Sequence, residues 1–180
     1  MSISIPGHRT PAASTEVPLE MLAACHLRVQ EQCATLQRLA RHVGAHGSDA
    51  QACSAAAGVM RYFDTAARHH HDDEEIDLFP ALIESMAGSD AVCLRDLTEA
   101  LMRDHRELDR RWRALRAVLE QVAAGAPVQL DATEVDAFVD RYAAHIAREE
   151  AELLPMAERL LGDDALEHIG RAMRQRRGIA

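Results

Sequence analysis

The sequence predicts an all-α protein: an antiparallel up-down-up-down four-helix bundle with a short extra C-terminal helix. Three observations carry this. The chain is rich in Ala, Leu, Arg and Glu, which favour helix, while aromatic residues make up only 3%, too few for a β-sandwich or barrel. Apolar residues recur every three or four positions through four long stretches. Glycine and proline gather between those stretches, and short connections make antiparallel neighbours the simplest packing. At 180 residues, 48% of them hydrophobic, the chain has the size of one domain with a core to fill.

Residues 1–16 carry two prolines, a glycine and several Ser/Thr, and are expected to form a flexible leader ahead of a bundle domain at 17–180. The first helix can open at Pro18, because proline suits the first turn. Its apolar line is Leu19, Leu22, Val29, Cys33, Leu36 and Ala40, fading at Gly44 and Gly47. The second starts near Asp49 and carries Ala56, Val59, Phe63 and Ala67. Pro80 should end or kink it near Leu78, with a short helical continuation before Gly88. The third starts at Ser89/Asp90, both good caps. Its stripe is Leu94, Leu97, Leu101, Leu108, Trp112, Leu115, Leu119 and Val122, stopped by Gly125 and Pro127. The fourth begins at Asp131 with Glu134 three residues on, a capping-box-like start. It carries Val135, Phe138, Tyr142 and Leu153 and meets Pro155. A last helix places Leu166, Ile169 and Met173 on one side and ends in a basic tail.

The net charge of −9 argues against nucleic acid or an anionic membrane surface as the main partner. Cys25, Cys33, Cys53 and Cys93 form no C-x-x-C pair and read as reduced. The first residues lack the basic and apolar regions of an export signal, and no run of about 18 apolar residues exists. The expectation is therefore a cytoplasmic protein off the membrane. Ten histidines are the unusual count.

The two halves of the chain repeat. Residues 68–80 (RHHHDDEEIDLFP) align without gaps on residues 143–155 (AAHIAREEAELLP). His70 matches His145, Glu74–Glu75 match Glu149–Glu150, and Pro80 matches Pro155. Four histidines also fall on the apolar stripes: His26 on the first helix, His70 on the second, His105 on the third and His145 on the fourth. Glu74 and Glu149 follow one turn after His70 and His145, so each His–Glu pair shares a helix face. One histidine on an apolar stripe is usually a hydrogen-bonded core residue, and one helical Glu is usually solvated. Together they differ, because buried carboxylates without partners cost several kcal/mol each. A cation or two turns that cost into binding energy.

These residues make the chain resemble the hemerythrin-like, or HHE cation-binding, family over about residues 18–160. The resemblance rests on His26, on His70 through Glu74 followed by LFP, on His105, and on His145 through Glu149 followed by LLP. It implies a four-helix bundle holding a non-haem di-iron centre, two iron ions with an oxo or hydroxo bridge. By carry-over, Glu74 and Glu149 bridge the irons, His26 and His70 cap one, and His105 and His145 cap the other. The oxygen-carrying members have a second histidine one turn along the third helix, where this chain has Asp109. Five histidines become four, the two metal positions become more symmetric, and a pure O2 carrier is disfavoured.

The resulting expectation is a di-iron protein that binds O2 or a related small diatomic or peroxide ligand, for redox sensing, iron storage or oxidative and nitrosative stress. Its rivals are a di-iron redox enzyme acting on NO or peroxide or supplying iron for iron–sulfur repair, and a metal-free helical interaction module. Ligand type alone does not exclude zinc or manganese. Of the remaining polar residues, Glu75 and Glu150 read as surface charges with a hydrogen bond to a ligand histidine as the lesser option. His71, His42 and His46 read as neighbours or solvated residues. Phe63 and Phe138 are candidates to wall the pocket. Arg171, Arg174, Arg176 and Arg177 read as charge bias at a helix C-terminus.

Overall fold

The computed structural model describes residues 17–86 and 90–179. The expected leader at 1–16 and the expected cap Ser89 lie outside the described residues. All regular structure among the described residues is helical. The first helix, α1 (Pro18–His46), opens on proline and closes where Gly47 adopts φ 72°, a left-handed conformation that glycine takes without strain. Helix α2 (Ala50–Asp64) is capped by Asp49, whose carboxylate accepts from the Ala52 amide. Helix α5 (Asp90–Ala123) ends ahead of Gly125, which has φ 73°. Helix α6 (Ala132–Arg148) is capped by Asp131 through the Thr133 amide.

The second stretch is more divided than its sequence suggests. Thr65 sits at φ −125° and ψ −79° between α2 and α3 (Ala66–Asp72). Its hydroxyl donates to the Arg61 carbonyl at 2.6 Å, replacing the amide that would have continued the helix. After α3 comes a π-helical segment, π1 (Asp73–Leu78), and then α4 (Phe79–Ser85). The fourth stretch does the same: α6 passes into π2 (Glu149–Leu153) and then α7 (Leu154–Leu160). Pro80 and Pro155 therefore end neither helix. Each lacks an amide and crowds the carbonyl four residues back. The chain relieves this by widening the preceding turn, so Phe79 N–H bonds Glu74 O and Leu154 N–H bonds Glu149 O, each five residues back. The chain closes with α8 (Asp163–Arg176), whose Ile169 and Met173 are buried.

Helix α2 packs on α1 and α5, and α6 packs on α1 and α5, so these four elements enclose a common interior. The interior has two apolar layers. One contains Val29, Leu36, Phe63, Leu108, Trp112 and Phe138. The other contains Leu22, Leu78, Leu82, Leu101, Leu153 and Met173. Between them, on α1, α3–π1, α5 and α6–π2, lies a buried polar layer: His26, His70, Glu74, His105, His145 and Glu149. No described helix is long and apolar enough to cross a membrane.

Candidate metal centre

The stripe positions singled out in the sequence converge. One donor atom from each of His26, His70, Glu74 and Glu149 lies within 4.8 Å of the others, and the same holds for Glu74, His105, His145 and Glu149. The two carboxylates are common to both groups. Glu149 lies 3.1 Å from His26 Nε2 and 2.9 Å from His145 Nε2. Glu74 lies 3.6 Å from His70 Nε2 and 3.3 Å from His105 Nε2. Each carboxylate thus touches an imidazole of each group.

Both glutamates stand at the junction of an α-helix and a π-segment, and wide π-turns commonly mark functional sites. The repeated proline six residues after each glutamate accounts for the repeated geometry. On α1 and α5 no such device occurs; His26 and His105 simply take the place of an apolar residue in the stripe.

His105 Nε2 and His145 Nε2 lie 3.1 Å apart, within hydrogen-bond range, but most of the cluster's remaining polar atoms have no partner. Apart from Ser48 Oγ, every buried side-chain polar atom without a hydrogen bond among the described residues belongs to this cluster: His26 Nε2, His70 Nδ1, His145 Nδ1 and all four oxygens of Glu74 and Glu149. Unpaired carboxylate oxygens between two apolar layers are expensive. A divalent cation accepts lone pairs from both carboxylates and neutral imidazoles, so the residues present fit a metal and fit it better than they fit one another.

The electrostatics of the metal-free cluster agree. Burial and the neighbouring Glu149 carboxylate push Glu74 up to about 8. Burial acts on Glu149 as well, yet the imidazoles of His105, His145 and His26 outweigh it and hold that carboxyl well below its usual range. Burial pushes His70 down to about 3. His105 resists burial because Glu149, Glu74 and Glu75 surround it, and it rises to about 11.

Glu75 and Glu150 correct the expectation that they are surface charges. Glu75 Oε1 sits 2.6 Å from His105 Nδ1, and Glu150 Oε1 sits 3.2 Å from His26 Nδ1. Each accepts from the outer ring nitrogen, which leaves Nε2 to face the interior. Their matching positions in the two repeat halves are the signal that marks them. His71 is likewise no bystander: its ring stacks on His105 and its Nε2 lies 3.3 Å from the Tyr142 hydroxyl. Phe63 and Phe138 join Trp112 and Tyr142 in the core, and the rings nearest the imidazoles are Tyr142 and Phe79. His42 pairs with the cap Asp49 at 2.9 Å. Asp109 pairs with Arg113 on the exposed side of α5.

The basic tail also departs from its expected role. Arg176 and Arg177 converge on Asp73, which is fully buried beside Glu74, and Arg176 also bonds Asp77 at 2.8 Å. On the opposite flank Asp104, next to His105, pairs with Arg141 and with Arg148, the residue before Glu149. No local sequence pattern announces the tail's pairing, because its partners lie about a hundred residues apart.

Two comparisons bear on this geometry. A protein of Haemophilus influenzae described as an uncharacterized protein is 32% identical over 167 residues, covering 93% of this chain and 94% of that one. The model of the hemerythrin HHE cation-binding domain matches residues 17–157, a span that contains every residue of the His/Glu cluster. The chain belongs to the hemerythrin HHE cation-binding domain family.

Proposed function

We propose that the protein is a non-haem di-iron protein that binds O2 or a related small molecule in redox sensing, iron storage or oxidative and nitrosative stress response. The observation that carries this reading is the pair of donor groups sharing Glu74 and Glu149, whose oxygens have no other partner. In this reading α1, α2–α4, α5 and α6–α7 run up-down-up-down as an antiparallel four-helix bundle. His26 and His70 would hold one iron and His105 and His145 the other, with Glu74 and Glu149 common to both donor groups. The protein works in the cytoplasm, where its free cysteines stay reduced.

Each residue has a physical task. Glu74 and Glu149, both fully buried, would neutralise cation charge between the two apolar layers. Glu75 and Glu150 hold His105 and His26 in the tautomer whose Nε2 lone pair points inward. The apolar layers above and below keep the dielectric low and so strengthen every electrostatic contact. Two bound irons would supply reversible one-electron chemistry and open positions for a small anionic or diatomic ligand.

The experiment is metal analysis of native protein with an optical spectrum under air and under reductant. About two irons per chain, with His70→Ala and Glu149→Ala emptying the site, support the reading; a metal-free protein with unchanged variants refutes it. Reversible O2-dependent absorption without turnover marks a binder. Multiple turnovers of NO or peroxide with a reductant would instead show a redox enzyme.

A further inference from the structure

Two of the four clustered imidazoles have an outer carboxylate: Glu75 of π1 at His105 and Glu150 of π2 at His26. His145 is placed to gain one. Its Nε2 faces inward, 2.9 Å from Glu149 Oε1 and 3.1 Å from His105 Nε2. Its outer nitrogen, Nδ1, is buried and has no hydrogen bond among the described residues. Asp104 Oδ2 stands 3.8 Å from that nitrogen. Asp104 belongs to α5 and His145 to α6, so the approach is made across the interface of two helices. The carboxylate is only 8% exposed and is fixed through both oxygens. Arg141 donates to Oδ1, and Arg148 donates to Oδ2 at 3.4 Å. These arginines lie four residues before and three residues after His145, on the same face of α6. Their side chains reach solvent while the carboxylate stays buried.

We propose that Asp104 is a positioning residue for His145, accepting the Nδ1–H when a cation occupies the inner side of the ring. The proposal rests on the metal reading above. A cation takes the Nε2 lone pair, which leaves the proton of the neutral ring on Nδ1. A buried N–H without an acceptor is expensive. Closing from 3.8 Å to about 2.9 Å needs only a small tilt of the ring. The bond then holds the ring against rotation and raises the basicity of Nε2. The two arginines keep the carboxylate where the ring can reach it. Three of the four imidazoles are thereby oriented by a carboxylate from another element. Consecutive residues of α5 take different parts: His105 is a donor of the cluster, and Asp104 orients a donor on α6.

The test uses full-length protein with isotope-labelled histidine, metal-free and loaded with zinc, a diamagnetic ion that accepts the same donor types. In zinc-loaded wild type the His145 Nδ1–H should appear far downfield in the proton NMR spectrum and exchange slowly, as a charge-assisted hydrogen bond requires. Asp104→Ala should lose that signal and bind one of its two zinc ions about 10–100-fold more weakly. Asp104→Asn should recover a good part of the affinity, because its amide oxygen still accepts. Both variants lose the ion pairs with Arg141 and Arg148, so the difference between them reports the hydrogen bond and not the packing. Equal losses in the two variants, unchanged affinity in Asp104→Ala, or a zinc-loaded wild type without the His145 signal would each overturn the role of Asp104 and leave the metal reading intact. Wild type that binds neither zinc nor ferrous iron overturns the metal reading and this proposal with it. Should Asp104→Ala fail to fold, the wild-type signal and its loss or retention in Asp104→Asn decide.

Discussion

A carboxylate outside the His/Glu cluster can still govern an imidazole within it. Glu75 accepts from His105 Nδ1 at 2.6 Å and is about one-third exposed; Glu150 accepts from His26 Nδ1 at 3.2 Å and is half exposed. Losing either lets the imidazole turn or change tautomer and lowers its basicity. Glu75→Gln should weaken metal binding about 10–100-fold, in the range for such outer partners. Glu150→Gln should cost less, because its bond is longer and more solvated. Parallel metal titrations of the two variants check the order, and an equal or reversed effect would count against these roles. The four clustered imidazoles were legible from period and repeat: His26, His70, His105 and His145 stand where leucine or valine would stand, and the match of Pro80 to Pro155 selects His70 over His71. Glu75 and Glu150 lie one residue off that period and so looked like surface positions. Their bonds come from neighbouring helices, and helical period carries no information about those. His71 escaped for the same reason.

Among the elements, the repeated prolines and the last helix do most to shape the site. Pro80 and Pro155 were legible as interruptions, but their outcome was not, because a proline that breaks an isolated helix can be absorbed by a wide turn when packing holds both sides. Here the wide turns carry Glu74 and Glu149. Pro80→Ala restores the missing amide and lets π1 relax toward an α-turn, so metal affinity should fall while the metal-free protein unfolds at the same or higher urea concentration. Loss of both together would point to ordinary destabilisation. Helix α8 lies beyond the family match, which ends at residue 157. Its Arg176 and Arg177 nevertheless neutralise Asp73 next to Glu74. Removing them leaves a buried charge alone, and breaking such a pair costs about 3–5 kcal/mol. The double variant Arg176→Ala/Arg177→Ala should show that loss in urea unfolding, and adding Asp73→Asn should recover much of it. A double variant as stable as wild type would show that α8 only rests on the bundle.

Across the whole molecule, rising pH should lower the stability of the metal-free protein and enlarge the increment that a bound cation adds to it. Glu74 is held at about 8, above its ordinary value of 4.5. Between those values the folded chain keeps a proton that the unfolded chain has released, so this contribution is lost as pH rises toward 8. His105, raised from 6.5 to about 11, acts in the same sense: its contribution is full below pH 6.5 and drains away above it. His70, lowered from 6.5 to about 3, acts oppositely, but that change is complete by about pH 6.5. From pH 6.5 to 8 these groups therefore make the metal-free protein less stable. A divalent ion needs Glu74 ionised and His105 neutral, so it must displace their protons, and each displaced proton makes binding about tenfold tighter per pH unit. Since a ligand stabilises by RT ln(1 + [L]/Kd), each tenfold adds about 1.4 kcal/mol when metal is in excess. The melting temperature of metal-free protein should fall between pH 6.5 and 8, while the increment on adding anaerobic ferrous iron or cobalt grows. Paired melts with and without chelator measure both. An increment that stays constant across this window would mean that the cation binds without displacing these protons, and therefore somewhere other than the layer of Glu74 and His105.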